Sequence, residues 1–229
     1  MIRNSINSIL YASALLFVLG GLFTLAEPAI GFGAATSTSQ FIISQVVTSE
    51  ISFQTPATNI TLSPSIGGLS GGSSDGTTQV VVSTNNLTGY TMTLAASSSV
   101  GMIGNAAPSN NIPAYVSSVA NVPDYTFTTP SNKARFGYTI SASTTAELDQ
   151  KFLTNGSACN TGSTNPGLLH CWLNASTTAV TLITSAAPTA ASGSTSTLAF
   201  HVVINANPTP AIPNDTYVAT TTLTAVTNP

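Results

Sequence analysis

The sequence predicts an all-β protein: an antiparallel, Ig-like β-sandwich of about eight strands with one short helix, lying behind an N-terminal export segment. Three observations predict it. Apolar residues recur with period two in run after run, which in an extended chain places them on one face of a sheet. Small hydroxyl residues, 36 Thr and 30 Ser, make up 66 of the 229 positions. Threonine on the opposite face suits a solvated strand, because its branched β-carbon favours extended backbone and its hydroxyl stays in water. Clusters of Gly, Pro, Asn and Ser separate the runs, as they do in sandwiches.

In chain order, Phe41, Ile43, Val47, Ile51 and Phe53 share odd parity and predict one interrupted strand or two over 40–53. Further strands are expected near 59–63 and 78–84. Asn85-Asn86-Leu87-Thr88-Gly89 then reads as a hairpin turn into a strand over 89–96, where Tyr90, Met92 and Leu94 alternate with Thr91 and Thr93. Phe136, Tyr138 and Ile140 mark a strand at 135–141. Thr144 and Glu147 have capping-box spacing, and Leu148 and Phe152 share a face, so a one- or two-turn helix is expected there, ended by Asn155-Gly156. Val180 and Leu182 predict a strand at 178–184. Leu198, Phe200, Val202 and Ile204 predict one at 196–206, and a Thr-rich strand follows at 216–226.

Arg3, an apolar run from Ile9 to Leu25 and the small residues Gly33-Ala34-Ala35 follow the order of a secretory signal peptide. Residues 1–35 are therefore read as the signal, with cleavage after Ala35. Residues 36–229 are read as one domain, with no linker to divide it. An uncleaved anchor is the alternative, since residues 9–25 reach the lower limit of about 17 for a membrane span; that run is then the sole membrane tether. The only two cysteines, Cys159 and Cys171, lie twelve apart in a stretch rich in Asn, Gly and Ser. In an oxidising compartment they read as a disulfide closing a loop, which stabilises by about 3 kcal/mol on a chain-entropy argument. They lack the C-x-x-C spacing of a redox pair.

Composition excludes several classes. Charged residues are 5% of the chain, against about a quarter in an ordinary domain, and the net charge is −3. Without a basic tract there is no electrostatic footprint for nucleic acid. The many Val, Ile, Phe and Tyr argue against disorder. Two cysteines cannot build a Cys-based zinc finger or an iron–sulfur site.

No catalytic, metal or cofactor constellation emerges. His201 sits in the strongest strand with outward parity, and His170 neighbours Cys171 and Trp172; each reads as structural, though so many serines leave a Ser–His–Asp arrangement open. Glu147 and Asp149, two apart, do not share a helix face. Asp75-Gly76 is a turn signal and no calcium loop. Gly67-Gly68-Leu69-Ser70-Gly71-Gly72 lacks the Lys and the following helix of a phosphate loop and reads as a flexible connection. Lys133, Arg135 and Lys151 cluster within 19 residues, as chance allows. Sequons at Asn59, Asn86, Asn155, Asn174 and Asn214 are expected from composition. Trp172 reads as a cover for the disulfide, with sugar stacking the lesser alternative. Two long loops remain: Ser63–Thr78, and Ser97–Lys133, where Pro108, Pro113, Pro123 and Pro130 with Tyr115, Tyr125 and Phe127 suggest a segment that packs down.

Thr84-Asn85-Asn86 with Gly89-Tyr90-Thr91-Met92-Thr93-Leu94, then Pro123-Asp124-Tyr125, Phe136-Gly137-Tyr138, Cys159-Asn160, Cys171-Trp172 and Tyr217-Val218-Ala219-Thr220-Thr221-Thr222-Leu223-Thr224 together resemble a group of secreted bacterial β-sandwich surface proteins over most of residues 36–229. More distantly, the Gly-Tyr strand and the final strand are similar to WxL-type cell-surface domains and pilin-like sandwiches. The resemblance implies an exported surface protein and brings no catalytic residues. Trp172-Leu173 lacks the intervening residue of the WxL motif. The expected function is thus a non-enzymatic, secreted or cell-surface structural protein, in its narrower form a self-assembling pilin-like or coat subunit, whose few charges suit lateral packing. A monomeric adhesion or glycan-binding module using the 97–133 loop is the alternative, and a hydrolase the third. Expected partners are copies of the chain itself or a surface glycan, with no nucleic acid and no cofactor.

Overall fold

Two antiparallel sheets turn their apolar faces to a shared core in the computed structural model, which describes residues 37–229. The export segment, its cleavage point at Ala35 and the apolar run 9–25 lie outside the described residues. Val47–Pro229 form one unit, and the few described residues before it, 37–46, belong to another.

The strands are β1 (Ile51–Thr55), β2 (Gly72–Thr84), β3 (Tyr90–Ala96), β4 (Gly101–Gly104), β5 (Asn111–Pro113), β6 (Ala134–Ala142), β7 (Leu173–Asn174), β8 (Val180–Ser185), β9 (Ser194–Ile204), β10 (Tyr217–Val218) and β11 (Thr221–Thr227). The larger sheet has the order β1-β2-β9-β6-β7, and β11-β3-β8 forms the smaller. A third sheet, β10-β4-β5, is built mainly from the long loop. The described residues are nearly all β and sandwich-like, as the alternation predicted.

Register explains the core. Phe136 pairs with Val202, Tyr138 with Phe200 and Ile140 with Leu198, so three inward pairs line one sheet. Tyr90, Met92 and Leu94 of β3, with Leu182 and Ile183 of β8, face them, all between 0 and 3% exposed. Each such side chain contributes about 1.5–3 kcal/mol on burial. The Tyr138 hydroxyl is an exception, buried without a hydrogen-bond partner, and burial pushes the phenol well above the ordinary tyrosine range. Tyr138→Phe removes this desolvated hydroxyl and keeps the ring. Chemical denaturation should find the variant as stable as the parent, or up to about 1 kcal/mol more stable.

Several expectations are corrected. The strand expected over 40–53 exists only at Ile51–Thr55. Ile51 pairs with Thr84, the last residue of β2, and before it the chain meets side chains in place of a strand: Thr84 Oγ1 donates to the Glu50 carbonyl, Asn85 Oδ1 accepts the Glu50 amide and Asn85 Nδ2 donates to the Thr48 carbonyl. Residues 59–63 form no strand. Thr58 and Ser63 instead tie to Thr78 and Asp75 along the margin of β2, while Ile60 and Leu62 fill the space above Gly76. The Ser63–Thr78 loop is shorter than expected. Its glycines and serines from Gly72 onward extend β2, because pairing from Gly72↔Ile204 to Val82↔Ser194 overrides their weak strand preference.

Asn85–Gly89 is not a hairpin: β2 and β3 belong to different sheets, and the turn carries the chain between them. Asn86 Nδ2 donates to Thr88 Oγ1 (2.9 Å), the Gly89 carbonyl (2.7 Å) and the Asn228 carbonyl (2.8 Å). Gly89 has φ +78°, and a Cβ there would lie 2.1 Å from the Ser185 carbonyl oxygen, so only glycine fits.

The expected helix is two separate 3₁₀ turns, Thr145–Glu147 and Gln150–Phe152. Thr144 makes no side-chain cap, and the Glu147 carboxylate is committed elsewhere, to Ser194 and Ser185. Leu148 and Phe152 are buried as expected, but extended backbone at Leu148 places them there. The strand expected at 216–226 divides at Ala219-Thr220, with β10 pairing β4 and β11 pairing β3.

Candidate functional site

The outer face of the larger sheet carries the densest group of aromatic and titratable side chains. β9 sets its centre. His201 pairs with Asp75 of β2 on one side and Gly137 of β6 on the other. The Asp75 carboxylate meets His201 Nδ1 at 2.5 Å, across 126 residues of sequence. The His201 side chain is 16% exposed and that of Asp75 64%.

Gly137 leaves a gap on this face that the long loop fills. A Cβ at Gly137 would lie 3.0 Å from Tyr115 Cβ and 3.1 Å from Phe127 Cε2. The Phe127 ring stands edge-on to His201 with centroids 4.6 Å apart, and Trp172 lies 5.2 Å from the same imidazole. Phe127 and Trp172 meet edge to face at 5.4 Å, and Tyr115 closes the group at 4.5 Å from Phe127. Ser97–Lys133 therefore packs down, as its aromatics and prolines suggested.

Asp124 ties that loop together. Tyr115 Oη donates to Asp124 Oδ2 at 2.7 Å, and the Ser118 amide and hydroxyl both donate to the carboxylate. Burial, with the adjacent carboxylate, holds the Tyr115 hydroxyl above the ordinary tyrosine range. The Asp124 backbone exchanges two bonds with Trp172, at 3.0 and 2.8 Å. Trp172 is 4% exposed, and its indole N–H donates to the Leu169 carbonyl at 3.0 Å. Its ring is thus not available to stack on a sugar. Below it, His170 stacks on Tyr125 at 4.0 Å and places Nδ1 3.1 Å from the Tyr125 carbonyl. The Cys159–Cys171 disulfide is formed, and Cys171 is fully buried with φ +62°.

A histidine held by a carboxylate can serve as a general base when a nucleophile lies within its reach. Among the described residues, the hydrogen bonds of the His201 ring go to Asp75 alone, and Phe127 and Trp172 take its apolar surfaces. The other sequence candidates are dispersed. Asp149 accepts the Lys151 amide and lies 3.7 Å from Lys151 Nζ, whereas Glu147 serves Ser194 and Ser185, so the two carboxylates do different work. Lys133 donates to the Thr209 carbonyl and Arg135 to that of Ala134. Among the described residues, no three His, Cys, Asp or Glu side chains converge in a metal-binding arrangement. A depression of about 250 Å³, lined by Ala96, Ser97, Gly101, Ile103, Val218 and Thr220 among others, presents no titratable side chain, and a wider one of about 400 Å³ beside β1 presents Glu50 alone.

Asp215 escaped the sequence reading. Its carboxylate accepts the amides of Ala106 (3.0 and 3.2 Å), Ala107 (3.1 Å) and Thr216 (2.7 Å), fastening the turn after β4 to β10. Those amide bonds, Ala106 foremost, hold its pKa below the ordinary 3.8. A carboxyl depressed on folding contributes stability above its unfolded pKa and loses it as pH falls through the lower, folded value. The Ala106 and Ala107 amide shifts should therefore report a titration whose midpoint lies below the ordinary 3.8. In Asp215→Asn this acid transition should vanish, as a titration followed by NMR will show. No protein-family model and no curated protein matches the chain.

Proposed function

We propose that this chain is an exported, non-enzymatic structural protein of a cell surface or extracellular layer, assembling with copies of itself as a pilin-like or coat subunit. The observation that carries the reading is how its few titratable groups are used. His170, His201, Asp124, Glu147 and Asp215 each hold one segment of backbone or ring against another. The smaller sheet, meanwhile, turns an uncharged, hydroxyl-rich face outward. Thr224, Thr93 and Thr181 lie in one row across β11, β3 and β8, and Val226, Thr91 and Thr184 lie in the next. Such a face carries no like charge to oppose lateral packing. A disulfide joining the only two cysteines fits an oxidising compartment.

The test is to produce the full chain in an exporting bacterium, fractionate the cells and measure the N-terminal mass. The product is expected outside the inner membrane, oxidised, beginning at Thr36. A reduced protein retained in the cytoplasm would overturn export. A monomeric adhesion or glycan-binding module using the 97–133 loop is the less supported alternative, because the loop's Tyr115 is buried and its Phe127 packs on Tyr115 and Trp172.

A further inference from the structure

Val47 and the residues just before it pose a problem of solubility that the fold of a single chain leaves open. Phe41, Ile42, Ile43, Val46 and Val47 are all exposed, between 79 and 95%. From Thr36 to Ser49 the chain contains no charged residue and no proline. A short, uncharged, proline-free run of strand-forming side chains is the composition that adds to open sheet edges.

The unit Val47–Pro229 contains one edge that suits it. β11 is seven residues long and pairs with β3 without a register shift from Thr221↔Ala96 to Thr227↔Tyr90. Among the described residues it has no second hydrogen-bonded strand, although β1 lies beside it. It bears no charge, and its inward side chains Leu223 and Ala225 are only partly buried against the core, as are Ile51 and Phe53 of nearby β1. The other edges are less open. The 148–149 segment crosses β8, where the Asp149 amide donates to the Leu182 carbonyl at 2.9 Å. β7 has two residues, and β1 contains a register shift between Phe53 and Thr55 and stops before Pro56.

We infer that residues Phe41–Val47 of one copy add as a strand to β11 of a second copy, extending its smaller sheet and covering the half-open apolar margin of its core. Seven residues meet seven. Of the four odd-numbered side chains, Phe41, Ile43 and Val47 turn inward toward Leu223 and Ala225 with the Gln45 amide between them at the margin, while Ile42, Ser44 and Val46 join the outer face. The backbone ladder supplies affinity and the alternating side chains supply register. One donor segment and one acceptor edge per copy make the contact head-to-tail, so it propagates into a chain of subunits or closes into a ring. The inference rests on the structural-subunit reading and names the surface through which the copies meet.

Light scattering on the full chain recovered from an exporting host tests it, over a hundredfold range of concentration. The mass is expected to rise as multiples of one chain and, with no charges at the junction, to change little between 0.05 and 0.5 M salt. Phe41→Asp with Ile43→Asp should return the mass to a single chain, and so should Thr222→Lys with Thr224→Lys on β11. All four positions are exposed, so circular dichroism should find both variants folded. Mixed together, each variant supplies the half the other lacks, and pairs of twice the single-chain mass should form. A single-chain mass for the parent at every concentration overturns both this inference and the assembly reading. Assembly that persists in both variants overturns strand addition alone and leaves the structural-subunit reading standing.

Discussion

Trp172→Ala should cost about 3–5 kcal/mol, the range for removing a large buried aromatic. The indole occupies the junction between the long loop and the larger sheet, where Phe127 and His201 both rest on it. Its loss leaves a cavity under the loop and frees the Leu169 carbonyl that its N–H had satisfied. Unfolding followed by circular dichroism gives the magnitude. Limited proteolysis adds location, with new cleavage expected between residues 97 and 133 before global unfolding. Trp172→Phe should recover part of the loss, because it restores apolar volume without the hydrogen bond. A loss under 1 kcal/mol, with the loop still protected, would show that the aromatic group does not anchor it.

Reduction of Cys159–Cys171 is expected to destabilise the protein by about 3 kcal/mol, through the freedom the opened loop gains in the unfolded chain. Cys171 is also a packed core side chain at 0% exposure, so the experiment needs two arms. Reduced parent protein retains both sulfurs and reports the cross-link alone. The Cys159→Ala, Cys171→Ala variant loses volume as well and should fall further, by about 1 kcal/mol or more. Equal midpoints for oxidised and reduced parent in guanidinium would remove the disulfide from the list of stabilising features.

The central strands were legible because alternation in Phe136–Ile140, Tyr90–Leu94 and Leu198–Ile204 coincides with their burial. Each has a strand on both sides, so local pattern and tertiary demand agree. At Phe41–Val47 the same alternation misled, because periodicity records which residues could share a face and not whether a partner exists. The reverse error occurred at Gly72–Thr78, where low-propensity residues are drawn into β2 by a fully formed neighbour in β9. β4, β5 and β10 are too short to show a period. His201 was recognised as outward-facing, but its carboxylate partner was not, since Asp75 becomes a neighbour only through the β2–β9 register. Asp215 gave no signal beyond its place in a Pro/Asn-rich turn. The disulfide was readable because two cysteines permit one pairing.

The order β1-β2-β9-β6-β7 has a consequence for how the chain acquires its shape. β2 and β6 are not neighbours; each waits for β9, which ends at Ile204. β3 likewise waits for β8 on one side and for β11 on the other. A chain emerging N-terminus first therefore passes most of its length without a completed sheet, and its closure is dominated by pairings between segments distant in sequence, which form slowly. The larger sheet therefore cannot close before Ile204 is available, nor the smaller one before Thr227.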